Sequence, residues 1–197
     1  MRKVVAKSAR QIVAALAILC SSALPAPAQS VEERLPTCLA CHGENGQSQN
    51  AGVPSLGAQQ GYYVTIQLLM FRDRLRVVDP MNDMAKGLSD ADLQKLADII
   101  SKLPAPLPAV GPADDARLAR GREMVEQNRC NFCHTENLAG QQNVPRIASQ
   151  REEYLVKALR GYKDNSRRGY DTSMADVVPP ITDEQILDLA YYIARVK

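Results

Sequence analysis

The chain contains Cys38-Leu39-Ala40-Cys41-His42 and, 92 residues later, Cys130-Asn131-Phe132-Cys133-His134. In C-x-x-C-H two thiols stand about one helical turn apart with an imidazole directly behind them. That arrangement lets two cysteines bond the vinyl groups of a haem while the histidine ligates its iron. The inventory points the same way, since the chain has only 2 histidines and both close such a motif, as do four of its 5 cysteines. A zinc site of four thiolates would need the two pairs to converge and would leave both histidines idle. Disulfides or a thioredoxin-like redox pair would not explain the trailing histidine twice. The expectation is therefore two covalently attached haem c groups, one on Cys38 and Cys41 and one on Cys130 and Cys133. His42 and His134 are the expected axial ligands.

The interval extends well beyond the motifs. Val144-Pro145-Arg146-Ile147 answers Val53-Pro54-Ser55-Leu56, and Tyr154 to Leu159 answers Tyr63 to Leu68, both at an offset of 91. Ile186, Leu189, Ala190 and Ile193 follow Leu93, Leu96, Ala97 and Ile100 by 93. Apolar residues at helical spacing predict helices near 62–72, 90–103, 114–127, 154–159 and 183–196. Ser89 is the expected N-cap of one, and Thr182 with Gln185 the capping box of another. Before the first motif, Val31 to Leu35 leaves room for about one turn of helix ahead of Pro36. The prolines of 104–112 make a stiff spacer. The organisation expected is all-α and duplicated: a first domain over 29–103, a linker over 104–113 and a second domain over 114–197. Trp is absent and aromatic residues make up 5% of the chain, so two haem macrocycles would supply bulk that two such small cores lack.

Residues 1–28 read as a secretory signal peptide. Arg2, Lys3, Lys7 and Arg10 form a basic start, Ile12 to Leu24 an apolar run too short to span a bilayer, and Ala26-Pro27-Ala28 a cleavage site. The expected location is the periplasm, after cleavage behind Ala28. A retained anchor, peripheral membrane association and a lipid on Cys20 are the rival readings, the last disfavoured by the bulk of Leu19. The leader carries four basic and no acidic residues, so what remains has 20 Lys and Arg against 22 Asp and Glu. A net negative chain argues against a nucleic-acid partner. The clusters Arg72-Arg74-Arg76 and Arg160-Lys163-Arg167-Arg168 read as solvated helix ends, with steering of an acidic partner as the other reading.

With both histidines committed, methionine is the soft ligand that remains for the far side of each iron. Met124, upstream of the second motif on a helix, reads as core, and so does Met70. Met174 lies in a loop seven residues before Ile181. The same spacing counted back from Leu88 lands on Met81, while Met84 is the rival because it shares a Met-Ala dipeptide with Met174. A haem-ligating histidine usually donates its second ring N–H to a carbonyl. Pro54 and Pro145 are candidates to provide that carbonyl, and plain turn prolines are the alternative.

Several features together resemble the dihaem class I c-type cytochromes, most closely the cytochrome c4 type. They are the paired motifs, the proline loop, a Gln-to-Tyr stretch entering a helix (Gln59 to Tyr63, Gln150 to Tyr154), the loop methionine and the Leu/Ile-Ser/Thr-Asp start of each last helix. The resemblance implies two all-α class I domains related by an approximate two-fold. It implies His/Met-ligated haems, with Met81 and Met174 matching the family's ligands in their spacing. It also implies electron transfer in the periplasm between redox partner proteins, a membrane quinol-oxidising complex as donor and a terminal oxidase as acceptor. The first half departs from the pattern in lacking a full N-terminal helix and a counterpart of Gly121. No catalytic residue is expected: a dihaem peroxidase would use further histidines, and a dihaem thiosulfate dehydrogenase a cysteine as distal ligand. The second functional reading is the cytochrome subunit of a larger dehydrogenase or oxidase.

Overall fold

The computed structural model describes residues 30–167, 169–170 and 172–197. The expected leader, Cys20 and Arg168 lie outside them. Ahead of the proline-rich stretch run α1 (Val31–His42), α2 (Gly61–Arg72), α3 (Met81–Ala85) and α4 (Asp90–Lys102). Behind it run α5 (Asp115–Gln127), α6 (Cys130–His134), α7 (Glu152–Lys163), α8 (Ser173–Val177) and α9 (Asp183–Ile193). Among the described residues the only pairing of extended backbone is an isolated bridge between Gln141 and Val144, so the expected all-α class is what is found.

The last helix of each half forms for the reasons visible in its residues. Ser89 Oγ accepts from the Asp92 N–H at 3.2 Å while the Asp92 carboxylate accepts from the Ser89 N–H at 2.8 Å. Thr182 and Gln185 repeat the box on α9, and a cap of this kind stabilises a helix by about 1 kcal/mol. Behind the caps, Leu93, Leu96, Ala97 and Ile100 on α4, and Ile186, Leu189, Ala190 and Ile193 on α9, form buried stripes. Helix α2 packs on α4 and α7 on α9. One core gathers Val31, Phe71, Ala85, Leu88, Leu93 and Leu96; the other gathers Val125, Leu138, Leu155, Val178, Ile181 and the α9 stripe. In the second half α5 crosses α9 at Gly121, where a Cβ would stand 2.4 Å from the Asp188 carbonyl oxygen.

Three expectations need correction. The lead-in to the first motif is not one turn closed by Pro36 but a single helix that runs through it to His42. The Ser30–Glu33 capping box starts that helix. Pro36 is exposed, so the one backbone bond it forfeits, to the Glu32 carbonyl, falls on the side open to water. Met81 and Met174 are not in plain loop but on the short helices α3 and α8. Elements of five residues hold too little periodicity to show in a sequence. The arginine clusters are solvated helix ends only in part: Arg74 is exposed, whereas most of the others are engaged. Arg72 pairs with Asp73 and Asp90, Arg160 pairs with Asp183, and Lys163 bonds the Ile181 carbonyl. Arg76 bonds Gln67 Oε1 and lies 4.7 Å from the Phe71 ring centroid, and Arg167 is enclosed by tyrosines.

The proline-rich stretch is tied to both halves. Gln47 Nε2 donates to the Leu107 carbonyl at 3.4 Å, and the Ala109 N–H to the Ala194 carbonyl at 2.8 Å. It acts as a strap fastened to each half.

Candidate haem sites

His42 is the last residue of α1 and His134 the last of α6, and each is 6% exposed. His42 Nδ1 lies 2.8 Å from the Pro54 carbonyl oxygen, and His134 Nδ1 lies 2.8 Å from that of Pro145. A carbonyl can only accept, so Nδ1 carries the proton in both rings and the Nε2 lone pair is free for a metal. Burial pulls both imidazoles below their ordinary value and outweighs the proline bond, which pushes the other way. Both rings are therefore neutral at pH 7, the form that ligates. The loop behind His42 is secured by Ser48 Oγ and Asn50 Nδ2, which both donate to the Cys41 carbonyl, at 3.2 and 3.0 Å. Behind His134, the Gly140 N–H donates to the His134 carbonyl at 2.8 Å.

All four motif cysteines are unpaired thiols, Cys38 and Cys130 half-buried and Cys41 and Cys133 exposed. Burial pushes the Cys38 and Cys130 thiols up. Among the described residues no group of three or more His, Cys, Asp or Glu side chains could hold a bare metal ion, so the thiols do not converge as a zinc site requires. A helix presenting two thiols one turn apart, followed by a neutral imidazole with Nε2 free, suits a covalently bound haem, and it occurs twice. A further fit comes from charge. Among the described residues no carboxylate pairs with Arg76 or Arg167, leaving cations that the propionates of a haem would balance.

The methionines separate by environment. Met81, the first residue of α3, packs against the Val31–Phe71–Leu88 core, whereas Met84 is 42% exposed. Met174 on α8 packs against the second core. Met70 is buried within α2 and Met124 packs against the second core. Asn82, beside Met81, was not singled out by sequence. It is 3% exposed and fully engaged: Nδ2 donates to the Phe71 and Arg76 carbonyls at 2.8 Å each, and Oδ1 accepts from the Val78 N–H at 2.6 Å. It pins α3 to the end of α2.

The two halves meet through side chains, among them the tyrosines Tyr63 and Tyr154 that recur at the 91-residue interval. Arg167 donates to the Tyr154 hydroxyl at 3.1 Å and to the Tyr63 hydroxyl of the other half at 3.3 Å. Burial alone would raise Tyr154, but the Arg167 and Arg76 guanidiniums outweigh it and hold the phenol below its ordinary range. Gln60 Nε2 reaches the Ala139 carbonyl at 2.9 Å. The sequence repeat pairs Tyr63 with Tyr154, but it does not show that they face each other.

Comparison with known proteins follows the same line. Residues 118–197 match the sequence profile of the cytochrome c family. The thiosulfate dehydrogenase electron acceptor of Thiomonas intermedia (strain K12) is 33% identical over 182 residues, covering 87% of this chain and 84% of that protein. Cytochrome c4 of Pseudomonas aeruginosa is 26% identical over 173 residues, covering 82% of this chain and 85% of that protein. The chain belongs to the dihaem, cytochrome c4-like c-type cytochromes. The crystal structure of reduced recombinant cytochrome c4 from Pseudomonas stutzeri superposes with a TM-score of 0.77 at 25% identity, covering 86% of this chain and all of that one. The fold is that of two class I cytochrome c domains in tandem. The chain carries two covalently bound haem c groups and serves electron transfer. No helix among the described residues is long and apolar enough to cross a membrane.

Proposed function

We propose that the first domain spans 29–103, with its haem on Cys38 and Cys41 and its iron held between His42 and Met81. By the same reading the second domain spans 114–197, with its haem on Cys130 and Cys133 and its iron between His134 and Met174; residues 104–113 link them. The observation that carries this reading is the pair of buried imidazoles, each with Nδ1 fixed by a proline carbonyl and Nε2 free. The exposure of Met84 favours Met81 over it. With both axial positions filled the irons leave no place for substrate. The chain then catalyses no reaction of its own and passes electrons over weak, transient surfaces. It works in the periplasm once the leader is cut behind Ala28, taking electrons from a quinol-oxidising membrane complex and passing them toward a terminal oxidase.

A second donor is favoured by a specific observation: a relative at 33% identity is named a thiosulfate dehydrogenase electron acceptor. A dehydrogenase of that kind would then be the upstream partner, docking on the first or second domain in place of the quinol-oxidising complex. The ligand reading is tested on the purified holoprotein by a pyridine haemochrome count and by the weak near-infrared Met–iron band. Two haems per chain are expected, with about half of the band lost in Met81→Ala and in Met174→Ala. A full band in either variant would overturn that assignment. Reduction of the protein by a purified thiosulfate dehydrogenase, set against reduction by a quinol-oxidising complex, decides the donor.

A further inference from the structure

Each proximal proline loop is held by the opposite half of the molecule. Ser55 follows Pro54, and both of its backbone groups go to Gln150: the N–H donates to Oε1 at 2.7 Å and the carbonyl accepts from Nε2 at 2.9 Å. Arg146 follows Pro145, and both of its backbone groups go to Gln59, at 2.7 Å to Oε1 and 3.0 Å from Nε2. The orientation of each amide is fixed from within its own half as well. Gln150 Oε1 also accepts from the Arg151 N–H at 2.9 Å, and Gln59 Oε1 from the Gln60 N–H at 3.0 Å. An oxygen facing two N–H groups and a nitrogen facing a carbonyl admit one assignment. Both glutamines are 6% exposed and Ser55 is 3% exposed, while Arg146 is half-buried, so both amides sit largely away from water.

The clamp and the histidine share one peptide group. The C=O of Pro54 and the N–H of Ser55 belong to the same planar amide. His42 Nδ1–H donates into its oxygen, and its N–H donates onward to Gln150 Oε1. The three groups form a hydrogen-bond chain in which each bond polarises the next. Drawing on the Ser55 N–H leaves more negative charge on the Pro54 oxygen, which strengthens the bond from Nδ1 and makes Nε2 a better donor. His134, Pro145, Arg146 and Gln59 repeat the chain with the halves exchanged.

We infer that Gln59 and Gln150 are positioning residues that tune the iron-ligating histidine of the opposite haem, Gln59 acting on His134 and Gln150 on His42. The inference rests on the reading of both histidines as iron ligands. A better Nε2 donor stabilises the ferric state, so losing a clamp raises the potential of the haem across the interface and leaves that of the haem in the variant's own half.

The test uses the full holoprotein. Gln59→Met and Gln150→Met keep length and bulk while removing the clamp. Redox titration followed by NMR of the iron-bound histidine and methionine signals assigns each potential to its haem. Q59M is expected to raise the second haem's potential and displace the His134 ring signals, and Q150M to do the same to the first haem and His42. A shift confined to the variant's own half, an equal shift at both haems, or no shift overturns the inference. Amide exchange in the unaltered protein gives a reading that needs no variant. The Ser55 and Arg146 N–H groups lie outside helices, so their slow exchange requires the clamp, and fast exchange at either overturns it. Absence of iron-bound histidine signals in the unaltered protein would instead refute the ligand reading, and the inference with it.

Discussion

Replacing Gly121 by alanine sets two effects of opposite sign against each other. Gly121 lies inside α5, where alanine is the better helix former by about 1 kcal/mol. Propensity alone therefore forecasts a more stable protein. Packing forecasts the reverse. The added Cβ would stand 2.4 Å from both the Asp188 carbonyl oxygen and the Tyr192 Cβ, and one of those neighbours is backbone. The helices cannot simply part, because Arg117 and Arg120 on α5 both bind the Asp188 carboxylate on α9, with Nε to oxygen distances of 3.0 and 2.5 Å. Overpacking of this kind costs about 1–3 kcal/mol, and the rigidity of the contact puts it at the upper end. Less the gain in propensity, the net loss is about 2 kcal/mol. For a domain of this size 1 kcal/mol moves Tm by roughly 4–8 °C, so a fall of roughly 8–16 °C is expected. Thermal unfolding of the holoprotein, followed by far-ultraviolet circular dichroism and by the Met–iron band, measures it. A Tm equal to or above that of the unaltered protein would show that the crossing yields, and the packing argument would be wrong.

Three further outcomes follow from described contacts. Asn82→Leu strands the Arg76 carbonyl and the Val78 N–H and leaves the Phe71 carbonyl with the Arg74 N–H alone, at about 1–3 kcal/mol; it should weaken the Met–iron signal of the first haem while sparing the second. Met84→Ala should leave both Met–iron signals intact in the same spectrum, because that side chain points to solvent. Asp188→Asn should lower stability at pH 7 by about 1 kcal/mol in denaturant titration. The hydrogen bond from Arg120, with Arg117 behind it, holds the Asp188 carboxyl below its ordinary value. Its contribution is therefore present above the unfolded value near 3.9 and is lost as pH falls through the lower folded value. The difference between D188N and the unaltered protein should shrink on acidification in that window, and a difference that grew there would refute the assignment.

The parts of this fold that could be read from residues were those governed by near neighbours. Helices α2, α4 and α9 were expected within a few residues of their ends because an apolar stripe and local caps define them, and the Pro54 and Pro145 carbonyls were one of the two readings that a ligating histidine's needs left open. Helix α1 was misjudged because Pro36 is a breaker by local rule, while the favourable Ser30 cap and its exposed position decide otherwise. The short helices α3 and α8 carry no period to read. Arg76 and Arg167 looked like surface charges because their partners, Phe71 and the tyrosines, are brought to them by the fold. Gln59 and Gln150 stood out only as repeats. Their partners are 87 and 95 residues away in the chain, and no local pattern encodes a contact of that range.

The crossed glutamine clamps also bear on what became of the duplication. Two copies of a self-sufficient module could in principle be separated again, but here each copy has handed the finishing of its histidine loop to its twin. An isolated half would uncover a glutamine amide along with the peptide groups of one loop residue, and solvent would have to take over both. A split gene should therefore yield fragments that seek each other out, and grafting an unrelated haem module in place of either half would leave the remaining one unfinished.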